Sequence, residues 1–322
     1  MLLPSIAVIG GLLLLVWSSD KFVEGASGIA SNFGVSPLLI GMLIIGFGTS
    51  APEILVGATA SLNGNSSIAV GNAIGSNIAN IALVLGIAAL ISPLTVESLT
   101  LRREFPVLLL ATGLVLALFW DHYFSRIDGV ILLIATLCML FWMYKLATKV
   151  TTDDPIGPEY SAELPASMST KVATIWTIVG LLALVISAYV LVWGAVAIAR
   201  EFGISDLIIG LTIIAVGTSL PEVAVSITAA LKKEHELVLG NIIGSNLFNL
   251  LAVLGVAGAI RGSELDPSVL SRDYFIMVLL TVAMFIMAYG FKSKGRINRF
   301  EASVLVMSYI AYMILLYQTA SS

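Results

Sequence analysis

The chain has 322 residues, of which 58% are hydrophobic and 11% are charged, and its mean hydropathy is +1.03. Soluble domains carry about 25% charged residues, so this composition excludes a soluble globular protein and indicates a polytopic membrane protein. No basic stripe suggests a nucleic-acid partner, and one cysteine, Cys138, excludes an internal disulfide framework.

The first apolar segment predicts a membrane helix from about Leu3 to Ala30. Its first 17 residues have the length of a signal peptide, but they lack a basic start and a clear small-residue cleavage site. We therefore expect the segment to be the first membrane helix.

The second apolar run, from about Val35 to Leu62, predicts a helix that is broken at mid-membrane. About 20 apolar residues cross the hydrocarbon, and this run carries Gly48-Thr49-Ser50-Ala51-Pro52-Glu53 near its centre. Pro52 removes a backbone donor and clashes with the preceding turn. A carboxylate at that depth is costly and indicates a functional site, and broken helices occur there where they line a cavity.

The same stretch occurs twice, because Gly217-Thr218-Ser219-Leu220-Pro221-Glu222 follows 169 residues later. Between Gly41 and Ile91, 24 of 51 positions are identical to their partners at this offset. The identities include Thr, Ser, Pro, Glu, Asn and Gly, so a shared apolar composition does not explain them. The chain therefore contains an internal repeat.

Each copy continues into a helix with a polar stripe. Positions spaced by four lie on one helix face, and here they are Asn72, Ser76 and Asn80 in the first copy and Asn241, Ser245 and Asn249 in the second. The next two predicted helices, roughly 105–120 and 127–146, have no ionisable residue at their centres and are expected to be scaffold. A loop is predicted over 97–104.

The fold prediction is an all-α membrane protein with ten transmembrane helices. Residues 1–150 form the first five-helix repeat, 151–171 a polar cytoplasmic linker and 172–322 the second repeat. Five is an odd number, so consecutive repeats enter the membrane in opposite directions and are inverted, with predicted helices two and seven broken at mid-membrane.

Loop charges predict the orientation. Loops on one face hold eleven Lys and Arg residues against four on the other, which places the first face in the cytoplasm and both termini outside the cell. We expect a multi-pass protein of the plasma membrane that works as a monomer.

The two repeats together resemble the sodium/calcium exchangers of the calcium/cation antiporter superfamily, particularly the small prokaryotic members. The resemblance covers all ten predicted helices, and the paired motifs carry it. It implies that calcium and sodium are the transported ions, that no cofactor is needed and that the chain is not an enzyme.

The resemblance also implies roles for residues that match the family motif. Glu53 and Glu222 would coordinate calcium and share sodium sites, and Thr49 and Thr218 would add ligands. Asn80 would line the inner part of the site. The flanking sodium sites would be completed by Ser50, Ser76, Ser219 and Ser245 with the carbonyls of Gly46 and Ala215.

Asn249 departs from the family pattern, because some relatives carry Asp at this position and the potassium-dependent branch has an acid there. We therefore expect an uncharged ligand, two central carboxylates rather than three, and no potassium coupling. The short linker also gives no reason to expect the calcium regulation of animal exchangers, which carry a large domain there.

Three other functions compete with sodium/calcium exchange. A proton/calcium antiporter usually has an Asn-Ala-Pro-Glu type of motif, whereas this chain has Gly-Thr-Ser-x-Pro-Glu twice. A gated channel would conduct without a counter-ion. A membrane enzyme would need a nucleophile or a catalytic histidine beside the two acids, and both histidines are predicted to lie in loops.

Overall fold

The computed structural model describes residues 2–96, 98–148, 168–203, 215–289 and 295–321. Positions 151–167 of the predicted linker lie outside these residues, as does the first half of the second broken helix. The helices are α1 Leu2–Phe33, α2 Pro37–Thr49, α3 Ala51–Leu62, α4 Ser66–Ile91, α5 Ser98–Leu118, α6 Arg126–Thr148, α7 Thr170–Glu201, α8 Ala215–Thr218, α9 Leu220–Leu231, α10 His235–Ile260, α11 Val269–Ala288 and α12 Arg299–Ser321.

The described residues form an all-α membrane protein. Among these residues, seven helices are long and apolar enough to cross a bilayer, and there are eight if α2 and α3, which meet at a bend of 41°, count as one span. Of predicted helix seven, the structure describes only α8 and α9. The residues before α8 are not described, so the start of predicted helix seven lies outside the description.

The loop predicted over 97–104 is wrong, because α5 begins at Ser98. The prediction took the charged Arg102-Arg103-Glu104 stretch as the limit of the helix. Leu, Arg and Glu are good helix formers, so the helix continues beyond its apolar part. Pro106 lies inside α5.

The polar helices α4 and α10 occupy the centre of the molecule. The apolar window of α10 is entirely buried and that of α4 is 72% buried, whereas α1, α6, α7, α11 and α12 are 22–28% buried. Gly244 of α10 lets α2 approach closely, since a Cβ there would lie 2.7 Å from the Met42 Cα. The two repeated polar stripes are therefore the protein core, and the apolar outer helices face lipid.

Helices α1 and α7 pack against each other along their lengths and run antiparallel. A Cβ on Gly11 would lie 2.9 Å from Leu191, and one on Gly25 would lie 2.5 Å from the Thr177 nitrogen. Residue numbers along α7 therefore fall as those along α1 rise, so the two helices run in opposite directions.

The same contacts recur with the two halves exchanged. At the 169-residue offset, Gly180 meets Phe22, and Gly194 meets Val8 and the carbonyl of Pro4. The α1–α7 interface therefore has an approximate twofold relation, in which each helix presents the same surface to the other.

Two short antiparallel strand pairs, which the sequence did not predict, also connect the halves. Strand β1 (Leu94–Val96) pairs with β4 (Gly295–Ile297), and β2 (Tyr123–Phe124) pairs with β3 (Ser263–Glu264). At the repeat offset β1 corresponds to β3. Each pair thus joins a strand of this repeated segment to a strand from the other half.

The turns that follow the two Pro-Glu helices lie at opposite ends of α4. Beside the turn after α3, the Ser66 Oγ donates to the Arg261 carbonyl at 2.8 Å, at the start of α4. Beside the turn after α9, the Thr95 backbone N–H donates to the His235 Nδ1 at 3.0 Å, beyond the end of α4. Because α4 is long enough to span a bilayer, these turns lie about one membrane thickness apart.

We predict that cysteines introduced at Asn63 and Lys233, in a Cys138→Ala background, react with a membrane-impermeant maleimide from opposite sides. Both positions are exposed. Labelling intact right-side-out and inverted vesicles measures this, and detergent-solubilised protein controls for intrinsic reactivity. Reaction of both cysteines from one side would contradict the arrangement.

Candidate ion-binding site

Each Pro-Glu motif lies at a helix break. Ser50 separates α2 from α3 with φ −83° and ψ 0°, and Ser219 separates α8 from α9 with nearly the same angles, −90° and 5°. Proline in the first turn of the following helix cannot donate a backbone hydrogen bond, which explains why the chain breaks here. Both breaks place a glutamate in the first turn of a new helix, Glu53 in α3 and Glu222 in α9.

The two glutamates are buried and their carboxylates have no partner among the described residues. Glu53 is 0% and Glu222 is 1% exposed, and none of the four carboxylate oxygens accepts a hydrogen bond there. The two groups lie close enough for their charges to interact. Burying unpaired like charges is strongly unfavourable, so this centre is suited to bind cations.

On one side of the carboxylates, the second half of the chain contacts the first through a small hydroxyl and amide cluster. The Thr49 hydroxyl donates to the Asn241 Oδ1 at 3.2 Å and lies 3.3 Å from the Ser245 Oγ. Ser245 also donates to the Gly46 carbonyl at 3.4 Å. Residues on α2 and α10 therefore assemble one set of oxygen atoms that neither half has alone.

Asn241 also positions the second break. Its Nδ2 donates to the Glu222 carbonyl at 3.3 Å and to the Ser226 Oγ at 2.9 Å. The side chain thus ties α10 to the first turns of α9 and fixes the backbone that carries the second carboxylate.

A second asparagine cluster joins the two polar stripes across the twofold relation. The Asn80 Nδ2 donates to the Asn246 Oδ1 at 3.2 Å, and the Asn77 Nδ2 donates to the Asn246 carbonyl at 3.3 Å. Asn77 and Asn246 are equivalent positions in the repeats. Asn249 is fully buried, and neither atom of its amide has a partner among the described residues.

The helices depart from α geometry beside these asparagines. Asn80 begins a π-helical segment, Asn80–Leu85, and Asn249 begins the equivalent segment, Asn249–Val253. Single π turns inside α-helices are frequent at functional sites because they disturb the regular backbone hydrogen bonds. Both repeats therefore share the π-helical segment as well as the asparagine at its start.

The equivalent oxygen set in the other half lies on a cavity. Thr218, Asn72 and Ser76 line a space of about 420 Å³, which also touches Asp273 and Tyr312. Such a volume can hold several water molecules. The half-site containing Thr49 is buried, whereas the one containing Thr218 is beside open space.

The described structure thus places most of the predicted residues around one centre. Ser50 and Ser219 are buried at the two breaks, and their hydroxyls have no partner among the described residues. Ala215 begins α8, and its side chain lies outside the description. No cluster of three or more His, Cys, Asp or Glu suited to a metal occurs among the described residues.

Sequence reasoning gave no role to Asn77, Asn246 and Ser226, and it treated Asn241 only as a stripe residue. Identity between the repeats at Asn77 and Asn246 was the available signal. Ser226 has no such signal, because the equivalent position in the first repeat is Gly57.

The fold and its oxygen-rich centre are those of a multi-pass transporter of cations. Residues 4–145 and 172–318 match the sodium/calcium exchanger protein family, and the chain belongs to that family. It is therefore a transporter of the calcium/cation antiport type.

Relatives of full length support this assignment. The chain is 48% identical over 319 residues to the putative antiporter CaxA of Alkalimonas amylolytica, covering 99% of this chain and 100% of the relative. It is 30% identical over 347 residues to the sodium/calcium exchanger MaX1 of Methanosarcina acetivorans, covering 95% and 96%. A solved structure of the sodium-calcium exchanger NCX_Mj, soaked with Na⁺ and Ca²⁺, aligns with a TM-score of 0.84 at 33% identity, covering 98% of each chain.

We predict that Glu53→Gln and Glu222→Gln each abolish calcium transport while the protein still folds. Each change removes half of the central charge and keeps the side-chain shape. Calcium should raise the melting temperature of the purified wild-type protein, and this rise should vanish in both variants.

Glu104→Gln is the matched control, because Glu104 is another buried carboxylate, only 3% exposed, outside this centre. It should keep both calcium transport and calcium-dependent stabilisation. Normal transport by either of the first two variants would exclude a two-carboxylate site.

Proposed function

We propose that the protein exchanges calcium for sodium across the membrane by alternating access, with Glu53 and Glu222 as the central ligands. The observation that carries the proposal is the pair of buried carboxylates whose four oxygens have no partner among the described residues. Hard oxygen donors suit calcium and sodium better than softer metals, and calcium accepts an irregular oxygen shell.

Charge balance accounts for obligatory exchange. One calcium ion, or two to three sodium ions, offsets the charge of about −2 that the two carboxylates carry. The empty site would have to change its exposure with uncompensated buried charge, which is expensive. Loaded forms therefore change conformation and the empty form does not, so a gradient of one ion drives the other.

The remaining ligands are proposed from the two half-sites. Thr49 and Thr218 lie one turn before the glutamates and complete the calcium shell. Asn80 and Asn249 line the inner part of the site. The flanking sodium sites consist of hydroxyls and carbonyls, contributed by Ser50, Ser76, Ser219, Ser245, Gly46 and Ala215.

Sodium is proposed as the coupling ion in place of the proton. The hydroxyl and carbonyl oxygens that surround the carboxylates are ligands for a cation, and a proton does not need them. The names of MaX1 and NCX_Mj, which describe sodium/calcium exchangers, support the same choice.

We further propose ten transmembrane helices in two inverted repeats, 1–150 and 172–322, joined by a cytoplasmic linker over 151–171. The antiparallel course of α1 and α7 supports inversion, because these are equivalent helices of the two repeats. Loop charges place both termini outside the plasma membrane.

Calcium-45 uptake into proteoliposomes tests the function. Vesicles loaded with sodium should take up calcium when the outside contains choline or potassium, and uptake should stop when sodium is equal on both sides. A proton ionophore should leave the uptake unchanged. Uptake driven by a pH gradient and indifferent to sodium would identify a proton/calcium antiporter instead.

Asn249 yields a prediction on ion selectivity. Its buried amide offers one carbonyl oxygen and no charge, so sodium-driven calcium flux should not need potassium. Asn249→Asp should make transport depend on pH or on an additional monovalent cation, because three close carboxylates repel one another. Fluxes measured against potassium concentration and pH, with Asn249→Ala as the uncharged control, decide this.

Strong activation of the unmutated protein by potassium would contradict the first part. An Asp variant with the pH and cation dependence of the Ala variant would contradict the second.

A further inference from the structure

We propose that three polar contacts between α1 and the α9 region form a latch, which closes one side of the transporter and must open in every transport cycle. The inference rests on the proposed alternating-access function, and it assigns a role to residues outside the ion site. The latch consists of the pairs Ser19–Thr228, Asp20–Lys232 and Ser27–Glu234.

The three contacts follow one another along α1. The Ser19 and Thr228 hydroxyl oxygens are 2.8 Å apart. The Lys232 Nζ lies 2.7 Å from the Asp20 carboxylate and also donates to the Asp20 carbonyl at 3.3 Å. The Ser27 hydroxyl donates to the Glu234 Oε1 at 3.2 Å.

The second repeat has no charged residues at the positions equivalent to the latch. In α7, the counterparts of the three α1 residues are Ala188, Tyr189 and Val196. Alanine and valine offer no polar side-chain atom, and tyrosine carries no charge at neutral pH. On the opposing side, the counterparts of the latch partners are Thr59, Asn63 and Asn65, which are also uncharged.

A cavity borders the α7 residues that are the counterparts of the latch residues of α1. Ala188, Tyr189 and Val196 line a space of about 460 Å³ together with Pro52 and Leu55 of α3 and residues of α8 and α9. The α1–α9 interface is therefore bonded, whereas its counterpart between α7 and α3 is separated by open space.

This asymmetry has a consequence for the transport cycle. In a protein built from two equivalent halves, exchanging their arrangements would close the α7–α3 side and open the α1–α9 side. The polar contacts exist only in the first arrangement, so they favour it. Loss of the latch should shift the population toward the arrangement with the α1–α9 side open.

The size of the shift follows from the exposure of the charges. Asp20 and Lys232 are 44% and 32% exposed, and Lys21 bridges to Glu24 at 2.6 Å and to Asp20 at 3.6 Å beside them. A solvated ion pair of this kind changes an equilibrium by about two- to fivefold. A change of this size favours one arrangement but leaves the other accessible, so transport remains reversible.

Cross-linking tests whether this interface opens. Ser19→Cys with Thr228→Cys, in the Cys138→Ala background, should form a disulfide under mild oxidation, since the two hydroxyl oxygens are in contact. The cross-linked protein should lose calcium exchange, still bind calcium-45 from the open side, and recover exchange after reduction. Normal exchange by the cross-linked protein would overturn the proposal.

The charge pair is tested by comparing two adjacent lysines. Lys232→Gln should slow the formation of this disulfide by up to about fivefold, whereas Lys233→Gln, which removes the same charge from the same turn, should not. Asp20→Lys combined with Lys232→Asp should restore the wild-type rate. Equal rates for the two lysine variants would overturn the latch.

These rates do not depend on which ion is transported. Failure of sodium-driven uptake with a Lys232-dependent cross-linking rate would contradict the proposed function alone. Sodium-driven uptake with a cross-linking rate that does not depend on Lys232 would contradict the latch alone.

Discussion

The cost of burying two negative charges is the constraint on which the rest of this protein depends. Glu53 and Glu222 are shielded from solvent, and no described residue neutralises them. In a medium of low dielectric constant such a pair needs bound cations or protons to offset its charge. The helix breaks, the polar stripes and the close packing of α2 on α10 all serve to surround that charge with oxygen atoms.

The site belongs to both halves because neither half is complete. Thr49 from the first half meets Asn241 and Ser245 from the second, and Asn80 meets Asn246 across the same relation. A duplicated chain can build such a centre by pairing equivalent helices, as α1 and α7 do through small residues. Duplication thus supplies two carboxylates and two environments from one sequence pattern.

The halves nevertheless differ in their present arrangement. The Thr49 half-site is buried, while the Thr218 half-site borders a cavity of about 420 Å³. Two equivalent folds in different surroundings are what a transporter needs to expose one centre to each side in turn. Differences between the repeats, such as the charged residues at positions 20 and 232, then decide which arrangement is favoured.

The sequence by itself determined the membrane class, the duplication and the broken Pro-Glu helix in the first repeat, and it singled out the two acids that the structure buries. These features are local or periodic: proline disturbs its own turn, and a spacing of four defines a helix face. The sequence also pointed to the family, because each of the paired motifs is a continuous stretch of residues that can be recognised without the structure.

Only the tertiary structure decided which oxygens meet and which side is open. The roles of Asn241 and Asn246, and the contact of Ser226, depend on side chains that are 15 to 192 residues from their partners. The start of α5 and the strand pairs between the halves were likewise missed, because charges and short loops carry little periodic signal. Long-range packing fixed the side-chain contacts and the strand pairs, and no local pattern encodes such packing. The start of α5 instead follows from local helix propensity.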